Sequence, residues 1–138
     1  MRLYVSDYHG LVNLFTPSTA KSLVRLKMME IICCESIQEI VSHEGDASDK
    51  DEKIVFKELQ ALYLKDLQEL KCFYSGNFTV CFPSLEQVFV INCHKMETFC
   101  PGAINADKLL GVKFQDMSDV VLLDIDLNST IQKEFLAQ

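Results

Sequence analysis

The segment Cys93-His94-Lys-Met-Glu-Thr-Phe-Cys100 holds the residue types best suited to chemistry in this chain. A thiol beside an imidazole is the pairing of a nucleophile and its base, and two thiols with an imidazole are three of the four ligands of a zinc site. Cys33 or Cys34 with His43 offers a second thiol–imidazole pairing. Either chemistry needs convergence. Neighbours on an extended segment face opposite ways, and no third orienting group stands near either pair in sequence. The acidic run HEGDASDKDEK, residues 43–53, raises calcium as a further ligand. Its Asp46, Asp49 and Asp51 lack the alternating spacing of a calcium loop, and its glycine is misplaced for the turn. We read it as a solvated insertion loop, with contact to a partner as its functional alternative.

The elements around Cys93 decide between these readings. FPSLEQVFVINCHKMETFCPG, residues 82–102, overlies FKELQALYLKDLQELKCFYSG, residues 56–76, at an offset of 26 (82 − 56). Phe56 falls on Phe82, Leu59 on Leu85, Leu62 on Val88, Leu64 on Val90, Leu67 on Cys93, Leu70 on Met96, Phe73 on Phe99 and Gly76 on Gly102. The frame recurs as Leu23, Leu26, Met29, Ile31, Cys34, Ile37 and Ile40. An earlier, partial copy is Leu3, Val5, Tyr8, Leu11 and Leu14; a later one is Ala106, Leu109, Val112, Phe114, Met117, Val120 and Leu123. Taking Leu3, Met29, Leu62, Val88 and Val112 as equivalent, the spacings are 26, 33, 26 and 24, and the acidic insertion accounts for the long one.

The shared string is L-x-x-L-x-L-x-x-C/L-x-x-L. Its L-x-L step has the period of a short strand, and the next inward residue comes three later, where the chain must turn. The fold class is therefore α/β: a leucine-rich-repeat solenoid with short parallel concave strands and with irregular loops and short helices on the convex side. Cys93 occupies the slot held by Leu67, Cys34, Tyr8 and Met117 in the other copies. A slot that accepts Leu and Met selects for packing, so we assign Cys93 and Cys34 to the core. No catalytic residue, metal ligand or cofactor is expected.

Composition agrees. The chain has 138 residues, 49% hydrophobic and 24% charged, enough for one ordinary domain. A net charge of −7 argues against a broad basic surface for nucleic acid and gives no support for docking on anionic lipid. No apolar stretch is long enough to span a bilayer. The opening MRLYVSDYHGLVNLF is broken by Ser6, Asp7, His9 and Asn13 and is no secretory signal. A reducing, cytoplasmic compartment is the expectation. The six cysteines then read as free thiols, and the sequons Asn77-Phe-Thr79 and Asn128-Ser-Thr130 stay unused.

Residues 1–125 form the repeat region, of about five coils with the first incomplete and the insertion at 43–53. Residues 126–138 form a helical cap or tail, with Ser129-x-x-Gln132 as capping box and Leu127, Ile131 and Phe135 at helical spacing. Thr16 caps a short convex helix with Pro17 in its first position, and Ala20, Leu23 and Val24 share its inner face. SGNFTVCFPS contains one minor strand. Stacked strands turn their outer rows to the concave side. The central row is Tyr4, Glu30, Tyr63, Phe89 and Lys113. Beside it run Arg2, Met28, Ala61, Gln87 and Gly111 on one side, and Ser6, Ile32, Lys65, Ile91 and Gln115 on the other. Aromatics among charges, with Met28, Ile32 and Ile91 enlarging the apolar area, mark a candidate partner-binding face. Leu3 already lies in a strand, so a preceding half-coil is expected to be missing, as in the end portion of a larger receptor or a truncated gene product.

VSDYHGLVNLFTPSTAKSLVRLKMMEI, EIVSHEG with its acidic run, IVFKELQALYL, FPSLEQVFVINCHKMETFCPG and DLNSTIQKEF together resemble plant intracellular disease-resistance receptors. The likeness is to the C-terminal leucine-rich repeats of the coiled-coil, nucleotide-binding class, and it covers nearly the whole chain. The resemblance implies a non-catalytic recognition module that senses a pathogen effector or a guarded host protein and folds back on its own nucleotide-binding module to hold it inactive. No G-x-x-x-x-G-K-[S/T] loop is present, so nucleotide binding carries over to no residue here. The chain departs from the family at Tyr8, where a cysteine is usual, and at the aliphatic, acidic stretch 119–126. The alternatives are a leucine-rich-repeat substrate adaptor of a ubiquitin ligase, an orphan truncated fragment, and a thiol or metal enzyme built on Cys93 and His94.

Overall fold

The computed structural model describes residues 1–43, 52–115, 120–123 and 126–137. In chain order its elements are β1 (Arg2–Ser6), β2 (Asn13–Phe15), α1 (Pro17–Ser22), β3 (Met28–Ile32), β4 (Glu39–Val41), β5 (Lys53–Val55), β6 (Ala61–Lys65), β7 (Thr79–Cys81), β8 (Gln87–Ile91), β9 (Ile104–Asn105), β10 (Gly111–Lys113), β11 (Val121–Leu122) and α2 (Leu127–Leu136). The main sheet runs β1-β3-β6-β8-β10-β11, and its first five strands are parallel. Each such strand is one coil later than its neighbour, which is the wiring of a leucine-rich-repeat solenoid.

The apolar frame sets the register. Leu3, Met29, Leu62, Val88 and Val112 stand side by side across the five strands. Val5, Ile31, Leu64 and Val90 form the second inward row. Met29, Ile31, Leu62, Leu64 and Val112 are wholly buried. A one-residue slip would send both rows to water, so burial holds the register. On the first coil Leu3 and Val5 are half-buried against the same core.

An aromatic stack runs along the interior. Phe56 lies on Phe82 with centroids 5.2 Å apart, and Phe73 on Phe99 at 5.0 Å, both near parallel. The pairs meet edge to face, at 5.8 Å for Phe56–Phe73 and 5.9 Å for Phe82–Phe99. All four rings are fully buried. Each contact adds about 0.5–1.5 kcal/mol beyond area burial.

The return path is more regular than loops alone. β2 pairs with β4, and β5, β7 and β9 form a third sheet, all parallel. The minor strand of SGNFTVCFPS is β7. Gly76 and Gly102 stack where coils turn: a Cβ on Gly102 would lie 3.3 Å from the Gly76 carbonyl oxygen.

Each of the first four coils leaves the main sheet through a left-handed residue. Asp7, Cys33, Asp66 and Asn92 have φ between 53° and 58° and occupy equivalent positions. Asp and Asn tolerate this region; Cys is an unusual occupant. Their amides continue the ladder, Cys33 donating to the Lys65 carbonyl at 3.0 Å and Asp66 to that of Ile91 at 2.9 Å.

Several expected positions differ. Tyr8 fills the slot of buried Cys34, Leu67 and Cys93 yet is 54% exposed. A phenol is larger than those side chains, and its hydroxyl favours water. Val24 is not on the α1 face: Thr16 caps the helix and Pro17 begins it, but it ends at Ser22, leaving Val24 exposed. The last coil does not complete the frame. β11 turns back antiparallel on β10, pairing Val112 with Val121. Val120 is consequently exposed rather than inward. Gly111 permits this approach, since a Cβ there would lie 2.4 Å from the Val121 carbonyl oxygen. Met117 lies outside the described residues, as do residues 44–51 of the acidic insertion.

Leu127 and Ile131 bring α2 onto the same core. Its cap is Asp126, whose carboxylate accepts from the Ser129 amide at 2.7 Å; the Ser129-x-x-Gln132 box is not formed. Asp126 precedes the first buried residue, Leu127, so the helix starts a turn earlier than that box requires.

Candidate functional site

The thiol–imidazole pairs do not converge. Cys93 is buried, with Sγ 3.5 Å from the Ile91 carbonyl oxygen and 3.7 Å from that of Leu64, whereas His94 faces solvent. Burial pushes the Cys93 thiol up to about 12, the opposite of an activated nucleophile. Burial also raises Cys100. All six cysteines are free thiols. Among the described residues no three His, Cys, Asp or Glu side chains converge as metal ligands. Asp46, Asp49 and Asp51 lie outside the described residues.

His43 sits not with Cys33 or Cys34 but beside Glu39 of β4. Its Nδ1 is 2.9 Å from Glu39 Oε1 and 3.4 Å from Ser75 Oγ. A Ser-His-Glu set suggests hydrolysis, but both contacts use one ring nitrogen, so the imidazole does not bridge acid and serine. Ser75 instead donates its amide to Glu39 Oε2 at 2.6 Å and its hydroxyl to the same oxygen. Cys72 also reaches that oxygen at 3.6 Å; burial and then Glu39 push its thiol up to about 12. The buried Glu39 thus bonds three residues, His43, Cys72 and Ser75, and ties its own coil to the next, since a buried carboxylate must be satisfied. Its sequence signal was a lone carboxylate beside the inward Ile40.

The outward rows of the main sheet assemble as their spacing predicts. Tyr4, Glu30, Tyr63, Phe89 and Lys113 are successive partners across five strands. The Tyr63 and Phe89 rings lie 5.1 Å apart, tilted by 43°, and Lys113 Nζ stands 5.8 Å from the Phe89 centroid. Arg2 reaches along the row to Glu30, Nη2 to Oε1 3.0 Å, and its nitrogen is 3.1 Å from Met28 Sδ. Tyr4 is the most open of the aromatics, at 62%. Met28, Ile32 and Lys65 are half-buried. Ile91 is a correction: it is in the outward row but only 5% exposed, and so offers little surface to a partner. Lys65 stands directly beside it on β6, and the aliphatic stem of a lysine covers a neighbouring apolar side chain.

A groove of about 680 Å³ follows the strand starts past Arg2, Met28, Ala61 and Gln87. A second cleft, of about 380 Å³, continues from Gln87 past Phe89 and Lys113 to the β10–β11 hairpin. No described helix is long and apolar enough to cross a membrane.

No curated protein and no solved structure matches the chain significantly. A family model does: "Plant disease resistance protein RPS2-like, leucine-rich repeats" matches residues 1–110, from β1 to the threshold of β10. With its stacked parallel coils and frame register already in place, the chain belongs to that family of plant disease-resistance leucine-rich repeats.

Proposed function

We propose that the outward face of the main sheet is a protein-recognition surface of a plant immune receptor of the coiled-coil, nucleotide-binding class, working in the cytoplasm. Repeats of this family suggest recognition in disease resistance, and solenoids of this kind are typically non-catalytic interaction folds. The partner is a pathogen effector, a guarded host protein or the receptor's own nucleotide-binding module, which the repeats restrain until the partner arrives.

The observation that carries this reading is the Tyr63–Phe89 pair, at 5.1 Å in the middle of the face. Neither ring belongs to the interior stack, and each is half-exposed. Aromatic anchors ringed by polar residues are what interfaces concentrate energy on. The test is affinity capture from plant extract with the wild-type chain and a Tyr63→Ala/Phe89→Ala variant. Loss of receptor, effector or guarded proteins with the variant supports the face. Equal capture by both chains contradicts it, and capture of ubiquitin-ligase subunits in their place favours the adaptor alternative.

A further inference from the structure

We propose that the cleft between Phe89 and the β10–β11 hairpin is a docking pocket for an acidic segment of a partner protein, which inserts one aliphatic or aromatic side chain. This rests on the reading of the outward face as a recognition surface and names the chemistry it selects.

Three observations carry it. The first is an apolar wall that the fold leaves in water: Leu110 is 74% and Leu122 70% exposed, with Val120 beside them. They belong to the antiparallel end of the sheet, so the wall stands at the end of the Tyr63–Phe89 row rather than apart from it. Together with Phe89 they line the cleft of about 380 Å³. Paired leucines exposed at this level are uncommon without a partner.

The second is charge. The residues lining the cleft and the groove beside it include Arg2, Lys27 and Lys113 against Glu86, or 3 − 1 = +2, on a chain of net charge −7. Asp7 and Asp66 flank the strand ends, where Ser6 bonds Asp7 at 2.9 Å and Asn92 bonds Asp66 at 2.9 Å. A cationic surface on an acidic molecule favours an acidic segment over a basic one.

The third is polarity within the cleft. Lys113 stands by the Phe89 ring, and Glu86 lines the cleft three residues before Phe89, immediately ahead of β8. A carboxylate of the incoming segment pairs with Lys113 and avoids Glu86, which orients the segment. The groove past Gln87, Ala61 and Met28 gives it a continuous path across the face.

The test is selection of phage-displayed random heptapeptides on the full chain. Enriched peptides are expected to carry Leu, Ile, Met or Phe within two residues of Asp or Glu. Their affinity should fall at least about tenfold for Leu110→Ser/Leu122→Ser, the scale of a lost interface anchor. Lys113→Glu should weaken the same peptides, and added salt should do so too. Circular dichroism is expected to be unchanged, because Leu110 and Leu122 are exposed and Lys113 belongs to the outward row, not the core. Peptides without acidic bias, undiminished binding to both variants, or no enrichment would overturn the pocket. Binding lost with Tyr63→Ala but kept with Leu110→Ser/Leu122→Ser overturns the pocket and leaves the wider face standing. Pocket-dependent peptides alongside partner capture that ignores Tyr63 and Phe89 would instead uphold the pocket and sink the wider reading.

Discussion

The side-chain amide of Asn128 lies against the backbone of Cys100, accepting its N–H at 2.7 Å and donating to its carbonyl. The same oxygen accepts from the Phe99 amide at 2.9 Å and the Thr98 hydroxyl at 3.0 Å. One coil earlier, the Phe73 amide finds its acceptor in the Phe99 carbonyl. Asn128 thus takes the place of a further coil's backbone at the end of the stack. It also occupies the nitrogen that a glycan would need.

Asn128→Ala should leave those donors without their acceptor at a closed edge. We expect a loss of about 1–3 kcal/mol, with amide exchange accelerating first at Phe99 and Cys100. Unchanged melting and exchange would show that α2 is held by Leu127 and Ile131 alone.

Phe73 contacts three other rings of the interior stack. Phe73→Ala should cost about 3–5 kcal/mol, a large share of a total near 5–15 kcal/mol, and denaturant titration reads it. Tyr4→Ala, at the open edge, should cost under about 0.5 kcal/mol. Similar midpoints for the two variants would refute the assignment of core and face.

Cys33 holds a left-handed backbone at φ 56° in a column otherwise filled by Asp and Asn. Cys33→Asn should stabilise by about 0.5–1 kcal/mol by relieving that conformation. A lower melting temperature would mean that the contact of Cys33 Sγ with Asp66, at 3.6 Å, outweighs the strain.

Cys72 and Cys93 are held protonated, their thiols raised from 9.0 to about 12. The unfolded chain ionises first as pH rises, so the folded state then binds more protons. Their contribution to stability is complete below pH 9 and is lost as pH climbs toward about 12. Cys93→Ala should flatten that decline in a denaturation series across this range. A thiol reagent at neutral pH should label Cys33 and Cys81 before the buried Cys34, Cys72, Cys93 and Cys100.

The repeat frame was legible because inward positions must be apolar in every coil, and that self-similarity survives a 33-residue spacing between Met29 and Leu62. The outward rows followed from the same alternation. Less legible was whatever depends on backbone rather than side-chain type. The Asp7–Cys33–Asp66–Asn92 column shares a dihedral and not a chemistry. The second and third sheets use strands of two or three residues, too short for a period to show. The β10–β11 reversal turns on one glycine whose missing side chain admits Val120. Asn128 read as a helix residue, although its work is done on the neighbouring coil.

The most direct measurement is cross-strand proton NOEs on the labelled chain. Stacked parallel coils require backbone contacts between Tyr63 and Phe89, 26 residues apart (89 − 63), and between Glu30 and Tyr63, 33 apart (63 − 30). The account predicts both, in parallel-strand pattern. Antiparallel contacts joining Tyr63 to a strand adjacent in sequence would contradict it, and with it the face on which recognition is proposed to depend.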